Sequence, residues 1–361
     1  MSAPVAATNA QSAPLSHDRL PPKTLLVTGG AGFIGSNFVR YMYERYPNYR
    51  VIVLDALTYA GDIDYFGNIA LDERFAFHYG DVRNRELVDK LVAQSNVVVH
   101  FAAESHVSRS IADTASCVST DVLGTDTVAS CVVKHKAHID RFIHISTSEV
   151  YGTAHEQYMD ESHPLNPCSP YAGAKAGADR LICSYFLTYD LPVVIVRPFN
   201  NYGPHQHLEK LIPRLITSAI LGERMPIHGD GSACRDWLFV EDHCAGLDAI
   251  LHAPVEKVAG EVFNLGTGRE ASILDIATLI ADKMNYDKSR FSFMTNRPGQ
   301  VDLHRANVEK AAQVLGFRAS TPLSDGLDKT IAWYVNNRNI WQRQLWLRHI
   351  EIETPAGKIL H

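Results

Sequence analysis

The run Thr24-Leu25-Leu26-Val27-Thr28-Gly29-Gly30-Ala31-Gly32-Phe33-Ile34-Gly35, continued by a helical pattern to Arg45, reads as strand, turn and helix in that order. Its first five residues are β-rich and apolar, and the periodicity changes after the glycines. Gly29, Gly32 and Gly35 suit a tight turn, a close approach of backbone amides to a pyrophosphate, and packing of the helix on the strand. The helix amino terminus adds a positive dipole end. A second apolar strand, Val51-Ile52-Val53-Leu54, ends at Asp55, twenty residues beyond Gly35. An acid there accepts from a ribose diol and repels a 2′-phosphate, so NAD is expected over NADP. Gly29, Gly32, Phe33, Ile34, Gly35 and Asp55 are the candidate residues for that cofactor.

Working outward, apolar strand candidates recur at 24–28, 50–54, 74–79, 97–101, 141–146 and 193–197, with spacers long enough for helical crossovers. This rhythm predicts an α/β fold, a Rossmann-type doubly wound parallel sheet covered on both faces. Functional groups then belong at the carboxyl ends of the strands. Three landmarks fall there: Asp81-Val82, Phe101-Ala102-Ala103 and Ser146-Thr147-Ser148-Glu149. Small side chains at Ala102 and Ala103 permit close approach of a cofactor, and Asp81 suits an adenine amine. Beyond Arg197 the rhythm gives way to loops, with helical patterns near 208–222, 241–252 and 272–284. A smaller C-terminal α/β portion is expected to cap the sheet and cover a ligand. Arg235 and Arg297 stand in turn-rich surroundings where a guanidinium can clamp a diphosphate.

The chain has 361 residues, enough for a main domain and a smaller one. A chain of this size hides roughly three quarters of its unfolded surface, so no staple is required. A formal charge of −6 without blocks of Lys and Arg argues against nucleic acid or a membrane surface as partner. Its six cysteines form no CxxC pair and do not cluster with histidine, which predicts reduced thiols, a cytoplasmic setting and no metal site. Residues 1–22 lack an apolar signal core and read as a flexible leader. His100, His144 and His228 are expected to be packed or hydrogen-bonded structural residues.

Tyr171 and Lys175, four residues apart, share one helix face. A phenol titrates near ~10, so it serves as a base near neutrality only beside positive charge. The expectation is that Lys175 and an oxidised nicotinamide supply that charge.

With these motifs in place the chain resembles the extended short-chain dehydrogenase/reductases, and most of all the nucleotide-sugar 4,6-dehydratases acting on dTDP-glucose. The resemblance rests on Thr28 to Asn37, Leu54 to Gly61, Ala102 to Ile111, Thr147 to Gly152, Ser169 to Lys175, Asn200 to Pro204, Glu209 to Pro213 and Arg235 to His243. It spans nearly everything from residue 24 to about 335. Two positions depart from the dTDP-glucose pattern: Ser148 and Ser108 stand where aspartate is usual. The Ser148 difference matters because that aspartate is the acid for water loss; Thr-Ser-Glu also occurs in GDP-mannose dehydratases and UDP-glucuronate decarboxylases.

The resemblance implies catalytic Thr147, Ser148, Glu149, Tyr171 and Lys175, and an NAD site that adds Asp81, Val82, Ala102 and Ala103 to the residues above. Tyr171 takes the proton of the sugar 4-hydroxyl with Thr147 bonded to the same oxygen, and Glu149 removes the carbon-5 proton that the resulting ketone acidifies. Water leaves carbon 6 with help from Glu149 or Ser148, and hydride returns there. Implied substrate contacts are Glu104, Ser105, His106, Asn201, Lys210, Leu211, Pro226 to His228, Arg235, Asn264 and Arg297. The run Gln300 to Ala306 differs in length from the usual pattern. A pyrimidine nucleotide, dTDP- or UDP-hexose, fits better than a guanine one.

A decarboxylase or an epimerase of the same family is the alternative. The former needs a cation for a uronate, which Arg297, His304 or Arg305 would have to supply. A cofactor-binding regulator without activity is disfavoured because Tyr171, Lys175, Thr147 and Glu149 are all present. In domain terms, 23–200 is expected to hold NAD, with strand and helix contributions from later segments, and 201–340 the sugar nucleotide. Helices near 112–135 and 169–190, apolar on more than one face, predict a homodimer. Residues 341–361 fall outside the resemblance; Trp341, Trp346 and the alternation Ile350-Glu351-Ile352-Glu353 predict an ordered, packed tail of unassigned role.

Overall fold

The computed structural model describes residues 20–295, 301, 303–348, 350–354 and 357–360. Residues 1–19 of the expected leader, and Arg297, lie outside the described residues.

Strands β1 (Thr24–Thr28), β2 (Arg50–Asp55), β3 (Phe75–Tyr79), β4 (Val97–His100), β5 (Arg141–Ile145) and β6 (Val193–Pro198) match the strands read from sequence to within a residue. The chain then leaves this sheet through β7 (Asn200–Tyr202), β8 (Met225–His228) and β9 (Cys234–Phe239) before β10 (Val262–Leu265) returns to it. The result is a parallel sheet of seven strands in the order β10-β6-β5-β4-β1-β2-β3. The order reverses between β1 and β4, and the crevice above that switch point is where an open α/β sheet receives a ligand. Strands β11 (Glu270–Ser272), β12 (Phe291–Met294) and β13 (Leu303–His304) complete two small sheets: β11-β9-β13 with β7 on β9, and β12 beside β8. β14 (Glu351–Thr354) and β15 (Gly357–Leu360) form an antiparallel hairpin.

Both faces of the large sheet are dry. Leu25 and Val27 of β1 point into one core with Phe38, Val39 and Met42 of helix α1 (Phe33–Arg45), while Leu26 faces the other core. The second core is closed by Val88 and Leu91 of α2 (Arg85–Val92) and by later helices. Each such side chain contributes about 1.5–3 kcal/mol. A third cluster, around Tyr202, Ile212, Trp237, Ile276 and Tyr334, holds the later portion together.

The helices that carry the site come next. α3 (Val107–Ala112) ends at Asp113, whose side chain caps α4 (Thr114–Val118). One π-helical turn, Ser119–Gly124, joins α4 to α5 (Thr125–Lys134), so the helix expected near 112–135 is present with a widened turn inside it. α6 (Pro170–Tyr189) is set by Ser169, whose hydroxyl accepts from the Ala172 amide, and by Pro170 in the first turn. It ends where Asp190 turns left-handed at φ 51°. α7 (Leu211–Leu221) and α8 (Val240–His252) lie in the later portion.

Candidate functional site

A cavity of about 520 Å³ opens along the switch point. Its first end is built by the glycine turn. Gly29 has φ +66° and a Cβ there would stand 2.5 Å from the Ala102 amide nitrogen; a Cβ on Gly35 would stand 2.3 Å from Gly29 O. Only glycine fits either place. α1 begins at Gly32 with no side-chain cap and no acid in its first turn, leaving its amino end open to an anion. The Asp55 carboxylate accepts from the Ala31 and Leu57 amides at 2.8 Å each, and burial raises its pKa against these bonds. Phe33, Ile34, Val82, Ala102 and Ala103 line the same end. Asp81 lines it too, although the Arg83 guanidinium holds its carboxylate and keeps its pKa low; Arg83, absent from the sequence reading, lines the same end. These residues fit a dinucleotide with an unphosphorylated ribose.

The middle of the cavity carries the acid–base groups. Thr147 follows β5, and its hydroxyl accepts from the Glu149 amide at 3.2 Å, starting a 3₁₀ turn over Ser148–Tyr151. That turn ends at Gly152, φ 71°, where a Cβ would meet Asn166 O at 2.1 Å. Tyr171 sits in the first turn of α6, and its otherwise orphaned amide donates to the Ser110 hydroxyl at 3.0 Å. Its phenol neighbours the Thr147 hydroxyl. Burial, then the Asp121 and Glu149 carboxylates, push the phenol well above its ordinary pKa, with the Thr147 hydrogen bond opposing. Lys175, one turn on, donates from Nζ to Ile145 O at 2.6 Å, and burial lowers its pKa while Asp121 and Asp179 raise it. The positive charge expected from Lys175 and a nicotinamide thus works against burial and two carboxylates at Tyr171, and the Lys175 ammonium is tied to the sheet through Ile145 O.

Asp121, inside the π turn, is the group that sequence reading missed. It is fully buried, accepts from the Glu104 amide at 2.7 Å, and burial lifts its carboxyl to about 6 despite Lys175. Glu104, on the cavity wall, is lifted to about 7 by burial and then by Asp121. No local signal in the chain marks Asp121, because its partners come from three other elements. Ser148 lines the cavity with Oγ 3.5 Å from His304 Nδ1. His304 Nε2 donates to Gly152 O at 2.8 Å, so Nδ1 carries the lone pair and the serine hydroxyl is the donor in this pair. Burial lowers the His304 pKa, with Glu149 opposing.

The far end contains Ser105, His106, Asn201, Lys210, Leu211, Pro226, His228 and Arg235. Lys210 Nζ donates to Ser105 O at 2.7 Å, bridging the two portions across the cavity. Asn201 is braced by Phe199 O and His243 Nδ1, each at 2.9 Å. Asn264 is a correction. It is fully buried away from the cavity, with its amide between Met159 O (3.0 Å) and the Tyr151 hydroxyl (2.8 Å), and so holds structure rather than a diphosphate. His228 lines the cavity with Pro226, where the resemblance put it among the substrate contacts; His100 bridges Thr28 and Thr125 at 2.6 and 3.0 Å, as a structural histidine should. The tail is ordered through buried Trp341, yet Trp346 is 77% exposed, so only the first tryptophan packs. Among the described residues no cluster of metal-ligating side chains occurs.

The family profile described as GDP-mannose 4,6 dehydratase matches residues 26–330. The low-salt glycan biosynthesis protein Agl12 of Haloferax volcanii is 45% identical over 87% of this chain and 99% of its own. A dTDP-glucose 4,6-dehydratase of Actinoplanes sp. is 41% identical over 88% of this chain and 99% of its own. The crystal structure of DesIV, a dTDP-glucose 4,6-dehydratase from Streptomyces venezuelae with NAD and TYD bound, superposes with TM-score 0.85 at 41% identity, over 89% of this chain and 99% of that one.

The chain belongs to the nucleotide-sugar 4,6-dehydratase family.

Within this family member, one wall of the cavity comes from residues that no motif announced. Arg214 of α7 lines it, as do Arg348 and Ile350 of the C-terminal tail. His304, behind Ser148, was considered only as a cation for a uronate, and its contact with the serine hydroxyl was not legible from spacing.

Proposed function

We propose that this chain is an NAD-dependent nucleotide-sugar 4,6-dehydratase, a hydro-lyase that converts an NDP-hexose to an NDP-4-keto-6-deoxyhexose. The observation that carries this reading is Glu149, a half-buried carboxylate on the cavity wall whose own amide is fixed by the Thr147 hydroxyl that neighbours Tyr171. NAD, held by Gly29, Gly32, Phe33, Ile34, Gly35, Asp55, Asp81, Val82, Ala102 and Ala103, supplies the acceptor for hydride from carbon 4 and the donor to carbon 6. Tyr171 accepts the 4-hydroxyl proton, with Thr147 orienting the oxygen and Lys175 fixing the helix beneath. Glu149 takes the carbon-5 proton made acidic by the ketone. It then delivers that proton to the departing 6-hydroxyl, which leaves as water; once hydride has returned to carbon 6, a proton from solvent restores the hydrogen at carbon 5 and Tyr171 releases the 4-hydroxyl proton. Ser148 directs its own proton to His304, which supports Glu149 as the sole carrier and gives Ser148 the part of an acceptor that orients the 6-hydroxyl. The two hydride movements cancel, so sugar and cofactor show no net redox change.

A uronate decarboxylase would need a cation at the sugar's carboxylate. Of the three candidate cations, Arg297 lies outside the described residues, Arg305 is held by Glu270, with Nε 2.9 Å from Oε2, and the buried His304 imidazole favours its neutral form; the last two support elimination over decarboxylation. Lys210, Leu211, Pro226 and His228 form the base end, where a pyrimidine, as dTDP- or UDP-hexose, is the preferred nucleotide. Residues 23–200 carry the cofactor half and 201–340 most of the sugar-nucleotide half. The active form is a homodimer built on α4, α5 and α6; apolar Leu123 and Leu187, 58% and 82% exposed, support a covered face there. Light scattering on the purified protein should give twice the chain mass, and a monomer would remove this part. A cytoplasmic setting is supported by six unpaired cysteines. Among the described residues no helix is long and apolar enough to cross a membrane.

Mass spectrometry of products from a panel of nucleotide hexoses and uronates tests the reaction. Loss of water from a hexose is the expected result. Loss of carbon dioxide from a uronate, or an unchanged mass with altered stereochemistry, would replace the dehydratase by one of its relatives.

A further inference from the structure

The family match stops at residue 330, yet the tail beyond it reaches back into the cavity. Its course is fixed at several points. Trp341 is buried and donates from Nε1 to Tyr334 O at 2.7 Å. Arg343 pairs with Asp62 at 2.5 Å and Asp64 at 2.6 Å, beyond β2. Arg109 of α3 donates to Leu347 O at 3.3 Å, and Arg214 of α7 donates to Arg348 O. The segment therefore spans both portions and sets Arg348 and Ile350 into the wall shared with Leu211, Pro226 and Arg235.

Arg348 holds more donors at this point than its protein partner takes up. Arg348 is 7% exposed, and its carboxylate partner is Glu223, itself half exposed, with Nη2 to Oε1 at 3.1 Å. Nη1 lies 3.0 Å from the other oxygen, but off the hydrogen-bonding direction, and among the described residues Nε has no acceptor. Beside it the Arg214 guanidinium is pushed down to about 10 by burial and by Arg348, with Glu223 opposing. Arg348 thus keeps guanidinium donors unused on the cavity wall, and buried positive charge with spare donors is costly unless an anion completes it. Guanidinium donors suit phosphate oxygens in particular.

We propose that Arg348 is a nucleotide-binding residue, its guanidinium taking an anionic oxygen of the substrate's diphosphate, so that the C-terminal segment completes a site otherwise built by the family's common region. This rests on the nucleotide-sugar reading above and adds to it a contact from outside the matched region. Glu223 acts as a counter-ion that the diphosphate displaces.

Calorimetric titration of the NAD-loaded protein with UDP and with dTDP tests this in three variants. Arg348→Met should weaken diphosphate binding by about tenfold or more, and Arg348→Lys should fall between that variant and the parent. NAD affinity should stay unchanged in both. Glu223→Gln should bind as tightly as the parent or tighter, because it removes the competitor. If Arg348 only pins the tail, Glu223→Gln loses as much as Arg348→Met, and the proposal falls. It falls equally if Arg348→Met binds within about twofold of the parent. Should that variant not fold, Arg348→Lys decides: affinity equal to the parent's overturns the proposal. A parent protein that binds neither diphosphate overturns the nucleotide reading itself, a result distinct from all of these.

Discussion

Lys175 Nζ donates a 2.6 Å hydrogen bond to the carbonyl oxygen of Ile145, the last residue of β5. The bond ties α6 to the sheet beside the turn that carries Thr147 and Glu149, so the lysine positions as well as charges the site. Lys175→Met leaves that carbonyl without its donor, at a cost of about 1–3 kcal/mol. Turnover should fall by about 10²–10⁴. Combined with Tyr171→Phe, which should abolish every step, it should lower activity no further, since groups that act as a unit are not additive. Steady-state kinetics and thermal unfolding of the three variants check this.

Asp121→Asn should move the rising limb of the pH–rate profile to lower pH. The carboxylate raises the Tyr171 pKa, so its removal eases loss of the phenol proton. The same substitution should stabilise the fold in a pH-dependent way. Asp121 is raised from 3.8 to about 6, so the folded state favours the protonated carboxyl, and the charged form costs stability as pH rises from about 4 through 6. The gain from asparagine should be absent near pH 4 and full above pH 7. Denaturant titrations at the two pH values, with the rate profile, measure both effects.

Asp179→Ala should destabilise the protein by about 3–5 kcal/mol, as expected for one member of a buried ion pair. Arg197 reaches Asp179 through Nε and Nη2 at 2.9 Å each and the Tyr151 hydroxyl through Nη1 at 3.0 Å; both side chains of the pair are buried. Tyr151 in turn donates to Asn264 at 2.8 Å. The network holds the turn that carries Glu149, so kcat should fall while NAD affinity is kept. A shifted denaturation midpoint with both kinetic constants unchanged would contradict this account.

The cofactor half was legible because its signals are local. Strand, glycine turn and helix lie within Thr24 to Arg45, and Asp55 follows at a fixed interval, so Gly29, Gly35 and Asp55 were readable before any contact was known. Tyr171 and Lys175 were readable for the same reason, as neighbours on one helix face. What their environment does to them was not. The Tyr171 phenol is raised by burial and then by Asp121 from the π turn, and Lys175 is held by Ile145 from β5, elements far away in sequence. Asn264 misled because its amide looks like a ligand group, whereas the Tyr151 hydroxyl and Met159 O already occupy it. Arg348 was invisible because it lies past every motif, and only the course of the tail brings it home.

Glu149→Gln is the most direct measurement. Glutamine keeps the shape and removes the base, so a single-turnover experiment on the NAD-loaded variant with its nucleotide sugar should accumulate reduced cofactor to about one equivalent. No 4-keto-6-deoxy product should form, and no solvent deuterium should enter carbon 5. Full turnover by this variant, with deuterium incorporated as in the parent protein, would contradict a mechanism in which one carboxylate carries both protons.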